Sequence, residues 1–247
     1  MRILLRSMVL VSLISFVMPA PVTGADAKPD KKSRYTRAGA ERMVGAAERT
    51  LAPVYAPLAE EIAEKLALAG RQGIGIDVGS GPGTLIVELC KRTELHWINA
   101  DINPHFFPYF FAKAEKAGFG GRVSAVRADA CALPFRDALA DVVVSRGSFH
   151  FWPDAQKGLA EIHRVLKPGG VAYIGRGFPE RLPLEVASQI RSKQGKGMKY
   201  DVDETEQQLR DIMKALRIEN YRIYRPRKGN AQGVNYGLWL QFRKAGQ

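Results

Sequence analysis

A chain of 247 residues, 46% apolar and 25% charged, fits one large α/β domain plus an N-terminal extension and is short for two full domains. Its two cysteines, Cys90 and Cys131, exclude a disulfide framework, and its four histidines (His96, His105, His150, His163) show no ligand spacing, so no metal is expected. The net charge of +12 lies at the ends: residues 1–50 carry nine Lys/Arg against four Asp/Glu, residues 176–247 fifteen against eight, and the segment between is neutral, which argues against a nucleic-acid partner for the core and for a solvated or lipid-facing basic surface.

Arg2 and Arg6 precede an apolar run, Met8–Val22, followed by Thr23-Gly-Ala-Asp-Ala27. A basic start, an apolar stretch of this length and an Ala-x-Ala-like exit have the form of a secretory signal peptide, and the run is short for a full membrane span. Lys28, Lys31, Lys32, Arg34, Arg37 and Arg42 crowd the following flank, which favours retention on the cytoplasmic side and contact with an anionic membrane. Residues 1–27 are therefore expected to be a signal peptide or membrane anchor, and residues 28–40 a basic linker. The chain is exported or membrane-associated on the first reading, and cytoplasmic if Met18 or Met43 is the true start.

Residues 41–247 are expected to form the folded domain. From Tyr35 to Ala69 the pattern is helical, with a break at Pro53 and Pro57; Glu60, Glu61, Glu64 and Lys65 mark a solvated face opposite Leu58, Ile62 and Leu66. Short apolar strands follow at Gly73–Val78, His96–Ala100, Arg122–Arg127, Asp141–Ser145 and Val171–Gly175. Helical stretches lie between them at Thr84–Arg92, Pro104–Ala117 and Asp154–Leu166. The alternation predicts a doubly wound, mostly parallel sheet. Two further helices near 183–194 and 203–217 precede strands at Tyr221–Arg225 and Tyr236–Phe242, which predict a C-terminal antiparallel hairpin at the sheet edge and bring the total to seven strands.

The strongest motif is Ile76-Asp77-Val78-Gly79-Ser80-Gly81-Pro82-Gly83-Thr84, a strand running into a glycine-rich turn and a helix. Glycines let backbone approach a ligand, and the helix N-terminus supplies free N–H groups. A dinucleotide fingerprint needs Gly or Ala where Thr84 stands, and the lysine of a P-loop is missing. Further along stand Asp101 at the end of the second strand, Asp129-Ala130 with Leu133-Pro-Phe135 after the third, Asp141-Val-Val-Val-Ser145 as the fourth, and Glu161-Ile-His-Arg-Val-Leu-Lys-Pro-Gly-Gly170 before the fifth, where Pro168-Gly169-Gly170 reads as a helix stop and turn. In this order, from about Ile74 to Phe178, they resemble the class I S-adenosylmethionine-dependent methyltransferases of the small-molecule type.

The resemblance implies a Rossmann-like fold and S-adenosyl-L-methionine as cofactor. It implies that Asp77 serves the cofactor's amino group directly or through water, that Gly79, Ser80, Gly81 and Gly83 cradle it, and that Asp101 with Ile102 meets the ribose. Asp129 and Ala130 would meet the adenine, and Ser145 would stand beside the methyl-bearing end. Asp129 has a second reading as the cap of its own turn. His150 is the one histidine placed to act as a base or to orient an acceptor, and a packed histidine is the equal alternative. Arg146 is a catalytic candidate that could pair with the cofactor carboxylate, with Asp77 or with an anionic substrate. The aromatics Phe106, Phe107, Tyr109, Phe110 and Phe111 read as helix packing or as a lipid or quinone contact.

The expected activity is methyl transfer to a small-molecule acceptor. RNA, DNA or protein methylation is the alternative enzyme class; against it, Ser145-Arg-Gly-Ser148 replaces the Pro-Pro motif of amino-methylating enzymes, and the Pro-Cys nucleophile of cytosine C5 enzymes is missing. A non-catalytic cofactor-binding protein on the same fold is the third reading. The oligomeric state is not encoded legibly.

Overall fold

Thr36 opens the first helix of the computed structural model, which describes residues 35–193 and 201–246: its hydroxyl accepts from the Gly39 N–H at 3.1 Å, the usual N-cap arrangement. That helix, α1, runs Arg37–Glu48. Its first turn takes in the last four residues of the expected 28–40 linker, because the cap lies at Thr36. The expected signal or anchor segment and Lys28, Lys31, Lys32 and Arg34 lie outside the described residues.

The second helix, α2 (Ala52–Lys65), starts with Pro53 in its first turn, where a missing N–H costs nothing, and carries Pro57 inside without stopping. The expected break thus falls at Arg49–Leu51, before both prolines. Glu61 is a second departure. It was expected in water with Glu60 and Glu64, yet it is 3% exposed. Its carboxylate accepts from Lys65 Nζ at 2.9 Å, the Tyr173 hydroxyl at 3.0 Å, the Tyr224 hydroxyl at 3.2 Å and the Glu180 N–H at 2.7 Å. A helix-face pattern cannot reveal donors that arrive from elsewhere in the chain.

The alternating elements follow: β1 (Ile74–Val78), α3 (Thr84–Cys90), β2 (His96–Asp101), a 3₁₀ turn at Pro104–Phe106 leading into α4 (Phe107–Lys116), β3 (Val123–Arg127), β4 (Ala140–Arg146), α5 (Ala155–Val165) and β5 (Leu166–Gly177). Then come α6 (Leu184–Lys193), α7 (Val202–Ala215), β6 (Tyr221–Tyr224) and β7 (Gly237–Arg243). The strand order is β3-β2-β1-β4-β5-β7-β6; the first five are parallel, β7 runs antiparallel to β5, and β6 pairs antiparallel with β7 at the edge. The expected seven-stranded Rossmann-like sheet with its terminal hairpin is what forms.

Both sheet faces are covered. Val142, Val144 and Tyr173 point into one core with Leu58, Ile62, Leu85, Ile86 and Phe110, whereas Val143, Ala172 and Ile174 point into the other with Leu159, Ile162, Leu209 and Met213. This period-two sorting is why the central strands read as continuous apolar runs. The strand β5 is longer than expected. Lys167-Pro168-Gly169-Gly170, expected as a turn, lies within it as an irregularity: Ala140 pairs with Leu166 and Val142 already with Val171. The Gly169 N–H, at φ +76°, bonds the Lys244 carbonyl instead.

Candidate functional site

The parallel strands end together at one edge of the sheet, and the glycine turn lies there, between β1 and α3. Gly79, Gly81 and Gly83 all have left-handed backbone, with φ of +70°, +58° and +67°. Their reasons differ. A Cβ on Gly79 would sit 2.4 Å from the Ser148 Cβ, and one on Gly83 would sit 2.0 Å from the Phe110 ring, so these two permit close packing. A Cβ on Gly81 would meet nothing within 4 Å. Gly81 therefore faces open space at the mouth of the strands, where open α/β sheets take ligands.

The Gly81 peptide is held from both sides by β2. Asp101 Oδ2 accepts from its N–H at 2.8 Å, and Asn99 Nδ2 donates to its carbonyl at 3.0 Å. Asn99 is fully buried and escaped the sequence reading; the signal was a lone amide at an inward position of the apolar His96–Ala100 strand. The other oxygen of Asp101 accepts from the Asn103 N–H at 2.8 Å. Burial pushes the Asp101 carboxyl above its ordinary value, against the pull of these backbone donors. Beside it, Ile102 is exposed.

Asp77 sits beneath the turn and is 2% exposed. Its Oδ2 accepts from Ser80 Oγ at 2.7 Å, while Oδ1 is buried without a hydrogen-bond partner. Burial raises its pKa to about 7, with a further push from Asp101; Ser80 and Arg146 pull the other way. An orphaned buried carboxylate oxygen costs free energy unless a donor reaches it, which marks Asp77 as a seat for a cationic or N–H-bearing group.

Ser145 and Ser148 share a hydrogen bond at 2.7 Å, and Ser148 Oγ donates to the Val78 carbonyl at 2.9 Å, tying the end of β4 to the start of the glycine turn. Ser148, which stands in the segment after the fourth strand, carried no role of its own in the sequence; its small size opposite Gly79 is the signal. Arg146 ends β4 with its guanidinium 5.2 Å from the Tyr55 ring centroid, and its Nε is buried with no hydrogen-bond partner. The His150 ring lies 3.8 Å from Phe151 and 6.0 Å, edge-on, from Phe149. Asp129 Oδ1 accepts from the Cys131 N–H at 2.9 Å, so its capping reading is realised there; Ala130 is buried next to it.

Asp77, Ser80, Gly81 and Asp101 thus form one hydrogen-bonded unit, with Arg146 acting on Asp77 through its charge. Asp129 and Ala130 lie beyond β3 and are organised locally. The Leu133-Pro-Phe135 segment is fixed from α5: Glu161 accepts from the Leu133 N–H at 2.8 Å, and Arg164 donates to the Leu133 and Phe135 carbonyls at 3.0 and 2.8 Å. Two motifs far apart in the sequence therefore build one corner. Both cysteines are buried, and burial raises the Cys90 thiol to about 11. Among the described residues no His, Cys, Asp and Glu cluster has the makings of a metal site.

A family model described as "Methyltransferase domain" matches residues 76–174, which span the glycine turn through β5. The chain is 38% identical over 114 residues to a chloroplastic 2-methyl-6-phytyl-1,4-hydroquinone methyltransferase of Spinacia oleracea, a match covering 45% of this chain and 32% of that one. It is 36% identical over 96 residues to the demethylmenaquinone methyltransferase of Thermus thermophilus, covering 38% and 43%. The chain thus spans less than half the length of these curated relatives. Over the whole fold it is similar to a crystal structure from Methanococcus maripaludis, provisionally assigned as an S-adenosyl-L-methionine-dependent methyltransferase, with a TM-score of 0.76 and 27% identity over 91% of this chain and 98% of that one. With this sheet order, this turn and these likenesses, the chain has the Rossmann-like methyltransferase fold, and the methyltransferase-domain match covers residues 76–174 of it.

Proposed function

We propose that the chain transfers a methyl group from S-adenosyl-L-methionine to a small-molecule acceptor. The observation that carries this is the pair formed by the open space over Gly81 and the partnerless Oδ1 of Asp77 beneath the same turn. When bound, the cofactor supplies a methyl group on a positively charged sulfur that departs as a neutral thioether. The chain then has to hold, align and keep dry. Asp77 would take the amino group, the Gly79–Gly83 turn with Ser80 would cradle the cofactor, and Asp101 beside Ile102 would take the ribose through its remaining lone pairs. Asp129 and Ala130 would border the base, with Ser145 near the methyl-bearing end. His150 and Arg146 would serve the acceptor. The two named relatives act, by their names, on a hydroquinone and a demethylmenaquinone; a quinol-like acceptor is accordingly the first class to test.

Calorimetry on residues 28–247 is the direct test. S-adenosylhomocysteine should bind and NAD should not; the reverse would end the assignment. Asp101→Ala should weaken S-adenosylhomocysteine about ten- to a hundredfold, the loss of a charge-assisted bond worth roughly 1.5–3 kcal/mol. A folded mutant with unchanged affinity would remove Asp101 from the site.

Asp77 adds a pH signature. A carboxyl whose pKa is higher in the folded chain holds its proton more tightly there, so it favours folding at low pH and ceases to do so as pH rises from 3.8 towards about 7. An arriving ammonium group favours the charged form, so cofactor binding near pH 7 should release a proton. Calorimetry in buffers of different ionisation enthalpy reads this directly, and Asp77→Asn should abolish it.

We further propose that the N-terminal segment holds the enzyme at an anionic membrane, with Lys28, Lys31, Lys32 and Arg34 each adding roughly 1 kcal/mol of attraction. No helix among the described residues is long and apolar enough to cross a membrane. A fusion of residues 1–45 to a reporter active only outside the cytoplasm separates the cases. A cleaved, active fusion means export, a full-length inactive one at the membrane means an inward-facing anchor, and a soluble product means neither.

A further inference from the structure

Arg146 is a cation short of an anion. Its Nε is buried and unpartnered, and its guanidinium lies 5.2 Å from the centre of the Tyr55 ring, a residue 9% exposed on α2. A guanidinium carries five N–H donors in a fixed fork, and the Tyr55 ring together with its hydroxyl, which accepts from Arg146, takes up only part of them. The nearby carboxyl, Asp77, spends Oδ2 on Ser80, and in the proposed complex its charge is taken up by the cofactor's amino group. The proposed cofactor brings a second positive charge to the same strand ends, and two cations in a partly desolvated site repel. One negative group between them relieves both.

We propose that Arg146 and Tyr55 bind the methyl acceptor through an ionised oxygen, that of a phenol or enol held as its anion. The inference rests on the methyl-transfer reading. Only one bond changes on binding: the acceptor O–H breaks, its proton leaves to the solvent, and the electron pair stays on the oxygen. Arg146 supplies the countercharge. Tyr55 supplies a neutral O–H donor, because burial holds its phenol above its ordinary value despite the opposing pull of Arg146. The electron-rich oxygen, or the ring carbon next to it, is then a nucleophile that needs no general base at the moment of transfer, which frees His150 for orientation. Tyr55 and Arg146 act here as positioning residues. Tyr55 stands on a helix that precedes every strand, at a place no motif of the glycine-turn region marks.

The test uses the protein saturated with S-adenosylhomocysteine and two probes, 4-nitrophenol and benzoate. Wild type should bind 4-nitrophenol as the coloured anion, lowering its apparent pKa by about 1 to 3, with proton release on binding read by calorimetry in two buffers. Arg146→Gln and Tyr55→Phe should lose this shift wholly and in part, Arg146→Lys should retain part of it, and all three should bind S-adenosylhomocysteine within about twofold of wild type. Arg146-dependent binding of benzoate without proton release, and no shift of 4-nitrophenol, would support the ionised oxygen but assign it to a carboxylate. Three results overturn the proposal: neither probe binds, the shift survives Arg146→Gln, or Arg146→Gln weakens S-adenosylhomocysteine tenfold or more, which would give the cation to the cofactor. Failure of wild type to bind S-adenosylhomocysteine at all would strike the methyl-transfer reading itself.

Discussion

Gly81→Val should abolish S-adenosylhomocysteine binding while leaving a folded protein. The position has φ +58° and open space where a Cβ would point, so valine meets no steric wall within the chain. The cost to folding is the left-handed backbone alone, roughly 1–2 kcal/mol for a non-glycine residue and somewhat more for a β-branched one. The cost to binding is far larger, because the isopropyl group fills the space into which the proposed cofactor must settle. An affinity loss beyond about a hundredfold, read by calorimetry beside a urea melt, is the expected pair of results. Gly83→Val gives the contrast: its Cβ would strike the Phe110 ring at 2.0 Å, so that variant should fail by unfolding. If Gly81→Val binds normally, the open space is not the ligand's.

Glu61→Ala should be the most destabilising single change outside the core. Removal of the carboxylate strands the buried Tyr173 hydroxyl and the partly buried Glu180 N–H, and leaves Tyr224 and Lys65 without their acceptor. Breaking one side of a buried charged network costs roughly 3–5 kcal/mol, a large share of the roughly 5–15 kcal/mol that holds a domain together. Glu61→Gln keeps the shape and one acceptor oxygen but turns two N–H donors on donors, and should cost less, roughly 1–3 kcal/mol. Urea unfolding of the two variants ranks them. Equal stability of Glu61→Ala and wild type would mean that water reaches these groups.

Much of the architecture was legible because it rests on periodicities the sequence displays. Runs such as Asp141-Val-Val-Val-Ser145 read as strands covered on both faces, and the helical stretches at Thr84, Pro104 and Asp154 fall between strands as expected. What escaped has a common cause. Glu61 looked solvated because its partners come from residues 173, 180 and 224. Pro168 looked like a stop because a strand irregularity has no local code that separates it from a turn. Among the candidate site residues, Asp77, Gly81 and Asp101 were expected from the ordered motifs and the resemblance they carry, whereas Asn99, Ser148 and Tyr55 gained roles only when long-range contacts placed them. His150 and Asp129 were each left with two readings; for Asp129 the capping contact is present at 2.9 Å.

The double grip of Asn99 and Asp101 on the Gly81 peptide bears on how fast and how tightly this site can work. Fixing the backbone of one residue costs about 1–2 kcal/mol, so a mobile five-residue turn would subtract on the order of 5–10 kcal/mol from every binding event. Here that ordering is completed once, when β1 and β2 pair. Ligand exchange at the turn is therefore lock-and-key in character, with an entropy loss confined to the ligand and the solvent. In the proposed reaction, such a preorganised turn would let the spent cofactor leave without the cradle first being dismantled.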